Sequence, residues 1–139
     1  MPSFHDTTTS AASPEDVWKL LYDPSRFPDW WAGIETVDVT SDGEYTMYPD
    51  GYPDFPMAQL LDTQRDQRRV TVSCLVSDLR FEWRLDPIGD RTLITVDVEI
   101  PDAEAHRLDS QREIISTSMN QLAQLATTGK RPGPCPPSP

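Results

Sequence analysis

The sequence predicts an α+β domain in which an antiparallel sheet is followed by one long C-terminal helix. Three observations carry this expectation. A helix-start signal follows a short threonine-rich segment near the N-terminus. A run of apolar–polar alternation then extends from Ile34 to Ile100. Helical periodicity returns after Pro101 and persists to about residue 128.

Residues 3–9 are rich in threonine and suit a short strand. Ser13 is a good N-cap, Pro14 fits the first helical position, and Glu15 and Asp16 suit the positive helix end. Val17, Leu20 and Leu21 fall on one face, and the helix should stop near Asp23-Pro24 because a residue before proline avoids the helical region. A second short helix is expected over roughly Pro24 to Trp31.

From Ile34 the period becomes two. Ile34 to Val39 reads as a strand turned at Ser41-Asp42-Gly43, and the next strand carries Tyr45 and Met47. Val70, Val72, Cys74 and Val76 alternate with Thr71, Ser73, Leu75 and Ser77; Leu79, Phe81, Trp83 and Leu85 alternate with Arg80, Glu82, Arg84 and Asp86; and Ile94, Val96, Val98 and Ile100 alternate with Thr95, Asp97 and Glu99. Such alternation marks half-buried antiparallel strands with one wet face. Turns are expected at Asp66-Gln67-Arg68, Ser77-Asp78 and Gly89-Asp90. Leu108, Ile115, Met119, Leu122 and Ala126 then share a helix face, widened by Ile114 and Leu125, over about 20 residues with Gly129 as a possible cap. The chain divides into a domain over 1–128 and a Pro-rich tail over 129–139, expected to be disordered.

The 139 residues fit one domain with one core. A formal charge of −11 repels phosphate backbones and anionic headgroups, so nucleic-acid binding is not expected. No apolar run approaches the roughly 20 residues needed to span a bilayer, so no stable membrane insertion is expected. Met1 to Asp6 has neither a basic nor an apolar leader region, which makes the cytoplasm the expected location. Of the two cysteines, Cys74 reads as a small core hydrophobe and Cys135 falls in the tail, so no disulfide is expected.

The opening Ser13-Pro14-Glu15-Asp16-Val17-Trp18, with Asp23-Pro24 and the Trp30-Trp31 pair at their spacing, resembles the START-like, or polyketide cyclase and lipid-transport (SRPBCC), superfamily over residues 3–128. The resemblance implies a helix-grip fold: a curved, antiparallel seven-stranded sheet wrapped around the long C-terminal helix, two short helices after the first strand, and a cavity between sheet and helix. Members bind sterols, lipids, polyketides or plant hormones; some are cyclases or dehydratases, some co-chaperones, some toxin components. They occur as monomers and as homodimers. No cofactor is expected.

Alternate turns of an antiparallel meander share an end. The loop at 49–56, the Ser77-Asp78 turn and the segment at 101–106 therefore lie together, at the end that forms the cavity mouth in the resembled superfamily. Tyr52 and Phe55 on the first loop are expected at the rim, as a lid or as part of a plain long connection. Phe81 and Trp83, with Ile115, Met119 and Leu122 from the helix, are expected to line the cavity, joined by Tyr45, Met47 and Trp30. A shift of one residue in register would instead turn Arg80 and Arg84 inward.

Candidate chemistry is sparse. His106, at the predicted mouth, is a weak candidate general base, with a solvated helix-start histidine as the plainer alternative. No His-x-x-x-His or Cys-x-x-Cys spacing supports a metal, and no Gly-x-Ser-x-Gly elbow supports a serine nucleophile. The leading expectation is binding or transport of a small hydrophobic ligand such as a lipid, an isoprenoid or an aromatic polyketide. One alternative is a polyketide cyclase or dehydratase. A further one is a regulatory or toxin-like interaction protein with a mostly filled core, which an exposed apolar patch near Trp30-Trp31 would favour. Whether the chain is an enzyme is left open.

Overall fold

The computed structural model describes residues 2–128. The expected tail, Gly129 as a helix cap and Cys135 lie outside the described residues. The chain begins with β1 (Ser3–Ser10) and α1 (Pro14–Leu21), then a 3-10 turn at Pro24–Arg26 and the single-turn α2 (Phe27–Trp30). The meander follows as β2 (Ile34–Ser41), β3 (Glu44–Pro49), β4 (Met57–Gln64), β5 (Arg69–Cys74), β6 (Arg80–Ile88) and β7 (Arg91–Glu99). A 3-10 segment at Asp102–Arg107 leads into α3 (Leu108–Thr128), which has 21 residues. The seven strands form one antiparallel sheet in the order β1-β7-β6-β5-β4-β3-β2. This curved sheet with its long C-terminal helix is the helix-grip arrangement.

The local signals act as their chemistry requires. The Ser13 side chain accepts the Asp16 N–H at 3.3 Å and caps α1. Asp23 likewise accepts the Ser25 N–H at 3.1 Å. The second helix is not continuous over 24–31 as expected: it splits into a 3-10 turn and one α turn. Pro28 has no N–H to return to the Pro24 carbonyl, and the Phe27 N–H bonds there instead. Strand β5 also ends earlier than its alternation suggested. Cys74 closes a tight turn by accepting from the Asp78 N–H at 2.9 Å and donating to the Leu79 carbonyl at 2.8 Å. Val76 is therefore exposed on the turn and not directed inward.

Register settles the direction of the sheet faces. Phe81, Trp83 and Leu85 are buried on β6, while Arg80 pairs with Glu99 at 3.6 Å and Arg84 with Asp97 at 2.8 Å on the outer face. These half-exposed pairs orient side chains more than they stabilise the fold. The concave face is apolar and closes on α3 through Ile115, Met119, Leu122 and Ala126. Its centre is aromatic: Trp30 meets Trp83 edge-on at 5.2 Å, and Trp31 meets Phe81 at 5.1 Å and Trp83 at 5.3 Å. Buried hydrogen bonds fasten the layers. Ser10 Oγ donates to the Ala123 carbonyl at 2.8 Å, and Trp30 Nε1 donates to the Leu20 carbonyl at 3.0 Å.

Candidate functional site

The sheet and α3 do not meet evenly. At the end where α3 begins, a cavity of about 200 Å³ separates them. Strand β3 brings Tyr45, Met47 and Pro49 to it, β4 brings Met57 and Gln59, and β5 brings Cys74. The Leu75–Leu79 turn adds Ser77 and Leu79, and β6 adds Phe81. The opposite wall is the link from α2 to β2, with Trp31, Ala32, Gly33 and Ile34, and the approach to α3, with Arg107, Gln111 and Ile114.

Several of the lining residues are small, Ala32, Gly33, Cys74 and Ser77, and fill little of the space. Gly33 is required by its backbone, not by crowding. Its φ is +91°, and an added Cβ would lie 4.0 Å from Ile114 Cδ1, an ordinary contact. The wall is held by Ser118, a buried residue of α3, whose Oγ accepts the Ala32 N–H at 2.8 Å and donates to the Ile114 carbonyl at 2.7 Å.

One transverse row of the apolar concave face is polar. Tyr45 lies opposite Gln59 in the β3–β4 pairing, and Gln59 lies opposite Cys74 in the β4–β5 pairing. Gln59 Nε2 donates to the Met57 carbonyl and to Cys74 Sγ, each at 3.3 Å. Tyr45 is 2% exposed. Burial, with a smaller contribution from Cys74, pushes its phenol far above the ordinary range, so it stays protonated and remains a donor. At the mouth, Arg107 Nε pairs with the Glu104 carboxylate. Among the described residues no carboxylate or imidazole lines the cavity, and no three metal-ligating side chains converge anywhere.

The residues proposed from sequence are divided by this geometry. Tyr45, Met47 and Phe81 come together on the cavity wall. Trp30, Trp83, Ile115, Met119 and Leu122 are buried but do not line it, because they close-pack against one another further along α3. Tyr52 and Phe55 stand 64% and 51% exposed on a loop whose backbone turns on itself, Tyr52 N–H to the Pro49 carbonyl and Phe55 N–H to the Tyr52 carbonyl. Only the loop's flanks, Pro49 and Met57, reach the cavity. His106 is exposed on the 3-10 segment, beside Arg107 but outside the lining.

Sequence reasoning missed Gln59, Arg107, Gln111 and Ile114. The signal for Gln59 was present: Met57, Gln59 and Leu61 alternate with Ala58 and Leu60, which places one amide on the inward face of β4. Arg107, Gln111 and Ile114 are spaced four and three residues apart, as one helix face requires.

The family described as "Polyketide cyclase / dehydrase and lipid transport" matches residues 1–126. The chain belongs to this family. No curated protein matches it. Among solved structures, this member of the polyketide cyclase and lipid-transport family is similar to protein XoxI from Bacillus cereus, at 20% identity and a TM-score of 0.73, covering 91% of this chain and 96% of that one. It is also similar to a START superfamily protein from Mycobacterium smegmatis, at 15% identity and a TM-score of 0.68, covering 88% and 98%. A third similarity is to BexL, a di-domain ARO/CYC of the BE-7585A biosynthetic pathway, at 14% identity and a TM-score of 0.71, covering 91% of this chain and 46% of that one. At these identities the similarity establishes the fold. No helix among the described residues is long and apolar enough to cross a membrane.

Proposed function

We propose that this chain binds a small, largely apolar molecule in the cavity at the start of α3. The observation that carries the proposal is the cavity itself: about 200 Å³ walled by Trp31, Ile34, Met57, Leu79, Phe81 and Ile114, with a few polar groups placed among them. Its volume lies below the roughly 300–1,000 Å³ usual for drug-sized ligands. A compact molecule therefore suits it better than a long-chain lipid or a multi-ring polyketide.

Binding is favoured over cyclisation or dehydration by the composition of the wall. Tyr45 and Arg107 are able to polarise a carbonyl, but general acid–base catalysis also needs a group to take a proton. No carboxylate or imidazole among the described residues is placed to do so. The reading as an interaction protein with a filled core looked to an exposed Trp30-Trp31 patch, and both residues are buried.

Native mass spectrometry of freshly purified protein, followed by solvent extraction, tests the proposal. The expected result is a bound small apolar molecule, or saturable uptake of added toluene with amide shifts at Trp31 and Ile114. Toluene that shifts neither residue, on protein with no adduct, would overturn it.

A further inference from the structure

We infer that the cavity selects an uncharged, compact carbonyl compound, held with its oxygen against the polar row Tyr45–Gln59–Cys74. This inference rests on the binding function proposed above and names the class of ligand.

The row spans three adjacent strands, and strand spacing of about 4.8 Å places its members side by side on one wall. Met47, Met57, Leu79 and Phe81 are apolar residues of the same lining, and Ser77 adds one hydroxyl from the turn that follows Cys74. The Tyr45 backbone is paired in the sheet, and its hydroxyl makes no hydrogen bond among the described residues. Among the described residues, the fully enclosed side-chain atoms without a hydrogen-bond partner are Trp18 Nε1, Arg69 Nε (ion-paired with Glu82), Trp83 Nε1 and Arg84 Nε. The Tyr45 hydroxyl is not one of them, so its free donor faces cavity space. Buried donors without a partner are uncommon, because the lost hydration is not replaced.

Gln59, also buried, supplies the complementary half. Its Nε2 is committed to the Met57 carbonyl and Cys74 Sγ, which orients Oε1 as an acceptor with no protein donor among the described residues. A carbonyl oxygen accepts from Tyr45, and a hydroxyl or N–H beside that carbonyl donates to Gln59. A plain hydrocarbon leaves both protein groups unpaired, which is the situation in which a polar site discriminates most strongly.

Charge argues for a neutral ligand. Among the described residues Arg107 is the single cationic side chain on the wall, and Glu104 already holds its Nε. An anion would have to compete with Glu104 at the mouth, and a cation would find no carboxylate among the described residues of the lining.

The test compares acetophenone, ethylbenzene and phenylacetate, which share a ring and differ in the polar group. Dissociation constants are measured by NMR titration on the full chain and on Tyr45→Phe. In the wild type, acetophenone is expected to bind about tenfold more tightly than ethylbenzene, the scale of one well-made hydrogen bond in a buried site, and more tightly than phenylacetate. In Tyr45→Phe the ketone-to-hydrocarbon ratio falls toward unity. The carbonyl stretch of bound acetophenone, lowered by hydrogen bonding in the wild type, returns toward its value in an apolar solvent. Equal binding of ketone and hydrocarbon in the wild type overturns this inference and leaves the binding function standing. Tightest binding of phenylacetate overturns it in favour of an anion site at Arg107. Binding of none of the three overturns both.

Discussion

Trp30 and Trp83 meet edge-on at 5.2 Å in the interior, whereas Tyr45, on the same concave sheet face, borders a cavity of about 200 Å³. The two regions share a sheet and a helix and differ in what the helix presents. Along its middle, α3 offers Ile115, Met119 and Leu122, and the aromatic side chains fill what remains. At its start it offers Gln111 and Ile114, and the sheet side of the gap carries the small Cys74 and Ser77. An apolar inward face thus packs solid or stays hollow according to side-chain volume at a few facing positions. Apolar patterning alone does not distinguish the two.

The largest break in this contrast is expected from Trp83→Ala. The residue is fully buried against Trp30 and Trp31, so its removal leaves a void that neighbours cannot fill. A loss of about 3–5 kcal/mol in urea denaturation is expected. A loss below about 1 kcal/mol would mean that this half is as loosely packed as the other.

Next comes Ser118→Ala, which acts on the strut between the halves. Without Oγ, the Ala32 N–H loses its acceptor on the cavity wall. The expected cost is about 1–3 kcal/mol, with faster hydrogen exchange at the Ala32 amide. Unchanged exchange there would show that the wall does not depend on α3 for its position.

A matched enlargement sharpens the comparison on one strand. Val70 and Cys74 both point inward from β5, Val70 opposite Trp83 and Cys74 opposite Gln59. Val70→Leu enters filled space and is expected to cost about 1–3 kcal/mol through overpacking. Cys74→Leu enters the cavity. It is expected to change stability by less than about 1 kcal/mol, since filling a void offsets local strain, while abolishing toluene uptake. Equal costs at the two sites, read by thermal denaturation, would remove the distinction between them.

The sheet and the long helix were legible in the sequence because each rests on a repeating signal, whereas the one-residue register shift at Arg80 and Arg84 stayed open until the strand pairing was seen. Alternation favoured Phe81, Trp83 and Leu85 inward with Arg80 and Arg84 outward, and the structure has this arrangement. The cavity was less legible because it is a property of facing pairs. Nothing local separates Phe81, which borders it, from Trp83 two residues on, which does not. Which side chain across the interior reaches far enough depends on the angle at which α3 crosses the sheet, and sequence spacing does not encode that angle. The polar row was hidden for a related reason: Tyr45, Gln59 and Cys74 are distant in sequence and become neighbours only through the pairing of β3, β4 and β5.

The smallest effect is expected at His106, the one titratable group near neutral pH that the sequence placed at the mouth. Its side chain is exposed, it makes no hydrogen bond or ion pair among the described residues, and the 3-10 segment that carries it directs Arg107 to the cavity instead. His106→Ala should therefore leave stability within about 0.5 kcal/mol, the range for surface positions without special contacts, and toluene affinity unchanged between pH 5.5 and 8. That pH range brackets the ordinary imidazole titration, near 6.5. A wild-type affinity that changes across this range and becomes flat in His106→Ala would place the imidazole at the site and revive general-base chemistry. A flat profile in both proteins confines the polar chemistry of the mouth to Arg107, Gln111 and Ser77, none of which is suited to take a proton at neutral pH.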